Sequence, residues 1–295
     1  MTASPLANPT ATRQLLERFG LATKHRLGQN FLVDDHVIQK ILDLARLDGS
    51  ASCVLEVGPG IGTLTLGMLP HAAGVVAIEA DHTLEPVLED LAHAWPSFAF
   101  VMGDALRVEQ DQVCRAAATA GMDGEPNILV ANLPYNVAAT IILKYLSENP
   151  ALQAAVVMVQ KEVADRICAQ PATKAYGGYT AKLTLYAEAT GRFEVPPTCF
   201  MPAPHVDSAV VRLDRTQTQA TDGHTLNAAE LSETCRVIDA AFAQRRKTIR
   251  NSMSASGFDK ARLDEAFAST GVAPTARAET LAPADFVRLA AQLAD

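Results

Sequence analysis

The sequence predicts an α/β fold with a mostly parallel sheet and a small all-helical domain after it. Three observations support this prediction. Between residues 50 and 160, short apolar runs alternate with longer helical patterns, strand-like segments follow closely after residue 180, and from residue 228 onward the pattern is helical throughout. Strands that alternate with helices are typical of α/β folds.

The first part contains five strand candidates, each an almost continuous apolar run. Strands that are apolar on both faces lie inside a parallel sheet, because helices cover both of its sides. The candidates are CVLEV (53–57), GVVAIE (74–79), FAFVMGD (98–104), NILVAN (127–132) and AAVVMVQ (154–160).

Three further segments predict antiparallel strands at one edge of the sheet. AKLTLYAEA (181–189), RFEVPP (192–197) and SAVVRLD (208–214) are close together and separated by proline-containing turns. Connections this short suit antiparallel neighbours rather than helical crossovers.

A polar segment, residues 215–227, is the best candidate for a linker, since it lacks any apolar periodicity. We therefore expect two domains. The first comprises residues 1–214 and includes a basic N-terminal arm at 11–29, whereas residues 228–295 form the helical domain.

Composition excludes several classes of protein. The 295 residues are 48% hydrophobic, with five scattered cysteines that form no C-x-x-C pair and seven histidines without ligand spacing. We expect no disulfide framework and no metal site. No apolar run approaches the roughly 18 residues of a membrane span, and the first 30 residues lack a signal-peptide core. A cytoplasmic protein without a membrane partner is the expectation.

Positive charge is concentrated in two segments of an otherwise acidic chain of net charge −8. Residues 12–30 carry four Lys or Arg against one acid, and residues 243–253 carry four against none. Such clusters suit RNA phosphates, although a plain solvated helix face would look the same. The candidate RNA-binding residues are Lys24, Arg26, Arg245, Arg246, Lys247 and Arg250.

A glycine-rich loop and two acids mark a cofactor site. Gly58, Gly60 and Gly62 directly follow the first strand, where the backbone must turn tightly and approach a ligand. Glu79 ends the second strand and suits ribose hydroxyls, and Asp104 ends the third and suits an adenine amine. Together they indicate an adenosine-containing cofactor. The spacing G-x-G-x-G weakens the dinucleotide interpretation without choosing between NAD and S-adenosylmethionine.

The fourth strand ends in Asn-Leu-Pro-Tyr, residues 132–135, which suits methyl transfer to an exocyclic amine. The lone pair of such an amine is delocalised into the ring. Two acceptors, the side-chain carbonyl of Asn132 and the backbone carbonyl of Leu133, would favour the tetrahedral nitrogen of the transition state. Tyr135 would stack on the flipped base. The alternative is an ordinary turn.

These motifs, taken in order, resemble the bacterial small-subunit ribosomal RNA adenine dimethyltransferases over nearly the whole chain. The glycine loop alone is shared by many methyltransferases, whereas the ordered set is specific. The matching segments are KHRLGQNFL (24–32), LEVGPGIGTLT (55–65), GDAL (103–106), NLPYN (132–136), MVQKEVADRI (158–167), FMPAPHVDSAVV (200–211) and AFAQRRKTIRNS (241–252).

The resemblance implies a Rossmann-like methyltransferase domain that uses S-adenosylmethionine. The substrate it implies is 16S rRNA in an immature small ribosomal subunit, dimethylated at N6 of two adjacent adenosines in the 3′-terminal hairpin. By position, Asn30 and Leu32 would contact the methionine portion, and Phe200 would stack on the target adenine opposite Tyr135. The implied cofactor-binding residues also include Gly58, Gly60, Glu79, Asp104 and Asn132. One catalytic domain with a small appendage suggests a monomer.

Three other functions remain open at this point. A large-subunit rRNA adenine methyltransferase would have a similar site. A non-catalytic assembly factor or mitochondrial-type transcription factor could share the fold, although the intact glycine loop and Asn-Leu-Pro-Tyr turn argue against lost catalysis. A nucleotide-dependent oxidoreductase is disfavoured by the glycine spacing. The absence of a Pro-Cys pair argues against C5-pyrimidine methylation, which needs a thiolate nucleophile.

Overall fold

The computed structural model describes residues 2–21 and 30–294, which form two compact units. The larger unit comprises Met1–Ala164 and Ala189–Asp214, and the smaller one Asp165–Glu188 and Arg215–Asp295. Residues 165–188, which the sequence analysis assigned to the first domain, therefore belong to the smaller, mainly helical unit.

The strands of the described residues match the sequence prediction closely in the parallel part of the sheet. The predicted bounds of 53–57, 74–79 and 154–160 are confirmed. The strands are β1 (Phe31–Leu32), β2 (Cys53–Val57), β3 (Gly74–Glu79), β4 (Phe98–Met102), β5 (Ile128–Asn132), β6 (Ala154–Gln160), β7 (Ala187–Val195), β8 (Phe200–Met201) and β9 (Ser208–Arg215).

Seven of the strands described here form one sheet in the order β4-β3-β2-β5-β6-β9-β7. From β4 to β6 every neighbouring pair is parallel, and β9 is antiparallel to β6. A separate pair joins β1 and β8, with Leu32 opposite Phe200. The predicted α/β class, with a mostly parallel sheet and an antiparallel strand towards one edge, is confirmed.

Several helices follow a residue whose side chain accepts a bond from a free backbone N–H of the first turn. Asn8 accepts a bond from Ala11, Asp34 from Val37 and Asn227 from Glu230. The helices are α1 (Pro9–Arg18), α2 (Asp35–Ala45), α3 (Thr63–Met68), α4 (Glu85–Ala94), α5 (Gln110–Thr119), α6 (Ala138–Glu148), α7 (Lys161–Ile167), α8 (Gly178–Leu183), α9 (Ala228–Phe242), α10 (Ile249–Ala255), α11 (Lys260–Thr270) and α12 (Pro283–Leu293). None of these helices has the length and apolar character that a membrane span requires.

The predicted strand over 181–189 is wrong in its first half. Residues 178–183 form α8, and the strand begins only at Ala187. The alternating pattern AKLTLYA suits a strand, but Thr180, Ala181 and Leu183 are all buried in the helix. The hydroxyl of Thr180 donates to the carbonyl of Arg166 at 2.7 Å. Packing around this short segment outweighs its local period.

The helical pattern that starts at residue 228 does not form one continuous helix, because it is interrupted between Phe242 and Ile249. Thr248 caps α10, accepting a bond from the N–H of Asn251. The buried hydroxyl of Ser252 donates to Ala240 at 2.7 Å and accepts from the N–H of Gln244 at 3.0 Å. These bonds fix a turn at residues 243–248, and no glycine or proline signals it.

Candidate active site

The main cleft lies where the strand order of the parallel sheet reverses. From β2 the chain continues outward to β3 and β4 on one side, and from β5 it continues outward to β6 on the other side. The strand order therefore reverses between β2 and β5. Ligands of doubly wound sheets bind at the carboxyl ends of the strands at this point. A cavity of about 250 Å³ lies there. Its lining includes the predicted site residues Asn30, Leu32, Gly58, Gly60, Glu79, Asn132, Leu133 and Tyr135.

The glycine loop has the conformation that requires glycine. Gly58, Gly60 and Gly62 have φ angles of 73°, 61° and 84°, a left-handed region that costs other residues about 1–2 kcal/mol each. A Cβ atom on Gly60 would lie 3.2 Å from the ring of Phe31, and one on Gly58 would lie 3.9 Å from the carbonyl oxygen of Asn132. The loop therefore lies against the start of the Asn-Leu-Pro-Tyr turn.

Glu79 is held by the backbone in an orientation that faces the cleft. Its Oε2 accepts a bond from the N–H of Gly60 at 3.1 Å, and its Oε1 accepts one from the N–H of Asp81 at 2.9 Å. Each carboxylate oxygen has a second lone pair and can still accept a hydroxyl. Burial raises the pKa of Glu79, and these backbone bonds oppose the shift. The residue is suited to a ribose diol, as the sequence predicts.

Glu56 also lines the cleft, and the sequence analysis missed it. It is 1% exposed, and its Oε2 accepts a bond from the hydroxyl of Thr65 at 2.6 Å. Burial raises its pKa to about 8, with a further contribution from the nearby carboxylate of Glu79. Within CVLEV it resembles an ordinary strand residue. The signal that could have revealed it is a carboxylate in a strand whose other four residues are apolar, since charged side chains are rarely buried without a reason.

The Asn-Leu-Pro-Tyr turn presents two acceptors beside the glycine loop. The side-chain amide nitrogen of Asn132 donates to the carbonyl of Asn30 at 3.3 Å, which leaves the amide oxygen as the acceptor. The N–H of Leu133 donates to Met158 at 3.0 Å, which fixes the peptide against β6. Within the described residues, no hydrogen bond reaches either the Asn132 amide oxygen or the Leu133 carbonyl oxygen. Both remain available to an incoming amine.

Tyr135 contributes an aromatic wall to the same cleft. Its side chain is half-buried, and its hydroxyl lies 2.5 Å from the Oγ atom of Ser208. Burial raises the pKa of Tyr135, so the phenol is protonated at neutral pH. A neutral ring in this position can stack on a base.

Two predicted site residues do not line the cavity. Phe200 is 4% exposed and packs in the apolar core through β8, so its ring is inaccessible to a base in this conformation. Asp104 follows β4 with its side chain 54% exposed, accepting from the N–H of Leu106 at 2.9 Å. The preceding residue, Gly103, donates its N–H to the backbone carbonyl of Glu79 at 2.7 Å, so the segment that carries Asp104 begins beside the end of β3. Their proposed roles remain predictions.

The basic cluster of the smaller unit lies in the turn between α9 and α10 rather than on a helix. Arg245, Arg246 and Lys247 are exposed there, and no ion pair engages them within the described residues. Arg250, in contrast, is paired with Asp264 by two bonds of 2.6 and 2.7 Å. Lys24 and Arg26, in the predicted basic arm, lie outside the described residues.

Within the described part of the chain, no group of three or more His, Cys, Asp or Glu residues is arranged to hold a metal ion. The cleft combines a carboxylate suited to a diol, a glycine loop that lets a ligand approach the backbone, two oxygen atoms suited to accept bonds from an amine, and an aromatic ring. This set can hold a nucleoside cofactor beside a planar amine.

Comparison with known proteins agrees with this geometry. Residues 20–295 match the sequence model of the family described as ribosomal RNA adenine dimethylase. A protein of Cutibacterium acnes named ribosomal RNA small subunit methyltransferase A is 41% identical, covering 100% of this chain and 96% of the relative. A protein of the same name from Anoxybacillus flavithermus is 39% identical over 98% of this chain and 96% of its own length.

Two solved structures share the fold. A dimethyladenosine transferase from Plasmodium falciparum gives a TM-score of 0.70 at 23% identity and covers 88% of this chain and 95% of its own. The 23S rRNA methyltransferase ErmE gives 0.63 at 26% identity, over 90% of this chain and 100% of its own. Both matches confirm the methyltransferase fold of the larger unit's sheet.

Proposed function

The chain belongs to the ribosomal RNA adenine dimethylase family, and from this premise we propose that it transfers methyl groups from S-adenosylmethionine to N6 of two adjacent adenosines in the 3′-terminal hairpin of 16S rRNA. The observation that carries the proposal is the contact between the glycine loop and the Asn-Leu-Pro-Tyr turn. A Cβ atom on Gly58 would lie 3.9 Å from the carbonyl oxygen of Asn132, and both residues line the same cavity, so the methyl donor and the acceptor amine would share one cleft.

The residues at the cofactor end fit an adenosyl sulfonium compound. The carboxylate of Glu79 would accept both ribose hydroxyls, and Gly58 and Gly60 would let the ligand approach the backbone. The buried hydroxyl of Thr63 lines the cleft and has no hydrogen-bond partner within the described residues. A buried polar atom without a partner is rare, and a polar ligand would satisfy it.

S-adenosylmethionine supplies an electrophilic methyl group when bound. At the acceptor end, the Asn132 amide oxygen and the Leu133 carbonyl would each accept an N–H bond of the adenine amine. This arrangement favours a tetrahedral nitrogen over the planar ground state, so it stabilises the transition state selectively. Tyr135 would hold the flipped base. The methylated ammonium is acidic enough to lose its proton to water, so no strong general base is required.

The small subunit is the proposed substrate because relatives bearing a small-subunit name match the whole chain at 39–41% identity. The large-subunit alternative has weaker support, since ErmE is 26% identical. We propose an immature small subunit as the partner, a cytoplasmic reaction and a monomeric enzyme. The exposed turn at residues 245–247 would contact RNA phosphates, and Lys24, Arg26 and Arg250 are further proposed contacts.

Labelled S-adenosylmethionine tests this function directly. The protein is incubated with undermethylated small subunits, with mature small subunits and, separately, with large subunits. We expect label in the RNA of the undermethylated small subunits only. Label found mainly in large-subunit RNA would contradict the choice of substrate, and no label in any RNA would contradict the activity.

A further inference from the structure

The hydroxyl of Tyr135 reaches a residue of another strand. Tyr135 lies in the turn that follows β5, whereas Ser208, 2.5 Å from its hydroxyl, is the first residue of β9. In the sheet, β6 lies between these two strands. The bond therefore joins the two sides of β6 at its carboxyl end.

Ser208 is fixed firmly enough to act as an anchor. It is fully buried and lies opposite Gln160, the last residue of β6. The preceding carbonyl, that of Asp207, accepts a bond from the N–H of Lys161 at 2.9 Å. Backbone pairing on this strand therefore sets the position of the Ser208 main chain independently of Tyr135.

The side chain of Tyr135, the other partner of this bond, is less constrained. Tyr135 lies in a turn beyond the end of β5, and its neighbour Asn136 is exposed. The backbone bond from Leu133 to Met158 fixes the turn before the ring but not the ring itself. The phenol oxygen of a tyrosine lies on the axis about which its ring turns, so a bond there restrains χ1 and with it the direction of the ring axis.

We propose that Ser208 is a positioning residue for methyl transfer: its hydroxyl holds the phenol of Tyr135, which fixes the ring against the target base. This inference rests on the proposed function, because it concerns the base that enters the cleft. It assigns a role in the acceptor site to a buried residue that does not line the cavity. Without the anchor, the ring would keep its stacking face, but its axis would lose its fixed direction relative to the amine acceptors.

A double-mutant cycle tests the proposal with the full-length protein and undermethylated small subunits. Ser208→Ala, Tyr135→Phe and the double variant are compared by single-turnover methyl transfer, by binding of S-adenosylhomocysteine and by thermal unfolding. We expect each single variant to slow transfer about tenfold, which corresponds to about 1.4 kcal/mol, while binding of S-adenosylhomocysteine is unchanged. The double variant should be no slower than either single variant, because both remove the same bond.

Ser52→Ala is the matched control. Ser52 is also buried, and its hydroxyl accepts a bond from the N–H of Asp48 at 2.8 Å. It precedes β2 and so lies at the amino-terminal end of the parallel strands, away from the cleft at their carboxyl ends. This variant should lower the unfolding temperature without slowing transfer. Slowed transfer by Ser52→Ala in proportion to its lost stability would contradict a specific role for Ser208.

Other outcomes distinguish failure of this inference from failure of the proposed function. A double variant about a hundredfold slower would mean that the two residues act independently, and Tyr135→Phe at the wild-type rate would mean that the anchor has no effect. Tyr135 is only half-buried, so Tyr135→Phe should fold. Its transfer rate therefore tests the role of the anchor even where Ser208→Ala fails to fold. Wild-type protein that transfers no methyl group would contradict both proposals.

Discussion

Glu56 is an ionisable side chain inside an otherwise apolar strand, and it makes the stability of the larger unit depend on pH. Its pKa of about 8 in the folded protein exceeds the ordinary value because burial disfavours the carboxylate. The folded state therefore binds more protons than the unfolded state between roughly pH 4.5 and 8. Within that window, the free energy of unfolding falls as pH rises.

Replacing Glu56 by Gln should remove this dependence. The amide still accepts the bond from Thr65 but carries no charge at high pH, so the variant should gain a few kcal/mol over wild type between pH 5 and 8.5. Urea unfolding at several pH values measures the difference. Glu89→Gln, at an exposed position of α4, is the control and should leave the slope unchanged. Parallel slopes for Glu56→Gln and wild type would contradict the shifted pKa.

In the proposed reaction, Asn132 would combine a structural and a chemical role in one amide. Its nitrogen bonds to Asn30, while its oxygen remains available in the cleft. For Asn132→Ala we expect methyl transfer to be abolished and the binding free energy of S-adenosylmethionine to weaken by only about 1–3 kcal/mol. Calorimetry and a transfer assay on the same preparation separate the two effects. Near-normal turnover would remove Asn132 from the mechanism.

Among the elements, the glycine loop depends most strictly on residue type. Gly62 is the residue before α3 and has a φ of 84°, and a Cβ there would lie 2.9 Å from Cδ2 of Leu91. The helix α1 adds Leu16 to the apolar cluster with Phe31, Ile61 and Leu84, so the loop and the cleft wall share one packed layer. The N-terminal segment therefore supports the cofactor end of the site through packing, a role that its basic composition does not suggest.

Gly62→Ala should cost more stability than a matched glycine replacement without the contact. Gly121 also has a positive φ, 71°, but nothing lies within 4 Å of the position of its Cβ. Both variants incur left-handed strain of about 1–2 kcal/mol, and Gly62→Ala should lose about 1 kcal/mol more through overpacking. Urea unfolding measures both. Equal losses would mean that Leu91 moves aside freely.

The elements that could be predicted are those whose sequence pattern and packing agree. β2, β3 and β6 are continuous apolar runs buried along nearly their whole length, so their bounds follow from composition. α8 could not be predicted, because alternation suits a strand and only packing around Thr180 selects the helix. The turn before α10 depends on the long-range bonds of Ser252, which no local pattern reveals.

The same limit applies to the site. Residues in the glycine loop and the Asn-Leu-Pro-Tyr turn were predictable, since their conformation is required by local chemistry. The burial of Phe200 was not, because it depends on pairing between β1 and β8, which are far apart in sequence. Glu56 was missed because a strand pattern does not show which of its faces meets a cavity.

At the scale of the whole molecule, the local distribution of charge differs from the net charge. The chain is acidic overall, with a net charge of −8, yet the turn at residues 245–247 exposes three cations without ion pairs among the described residues. A-form RNA is recognised largely through its backbone and shape, so such a turn suits phosphate contacts. The smaller unit would then contribute affinity for RNA, and the larger unit the chemistry.

Changing Arg245, Arg246 and Lys247 to Ala should weaken binding to small subunits and reduce the slope of log affinity against log salt by about 2 to 3. The matched control changes Lys144, Arg236 and Arg288 to Ala, which removes the same formal charge. These three residues are already paired, with Glu148, Glu233 and Asp285 respectively. Filter binding at several salt concentrations compares the two triple variants. Similar slopes for both would mean that the turn faces solvent on the ribosome.

In the proposed reaction, one cleft brings a methyl donor to the exocyclic amine of an adenine in small-subunit RNA. Mass spectrometry of nucleosides from undermethylated 16S rRNA, after incubation with the protein and S-adenosylmethionine, is the most direct test. We expect N6,N6-dimethyladenosine with wild-type protein and none with Asn132→Ala. Methylation of a ribose hydroxyl or of a pyrimidine carbon, or dimethyladenosine formed equally by the Asn132 variant, would contradict it.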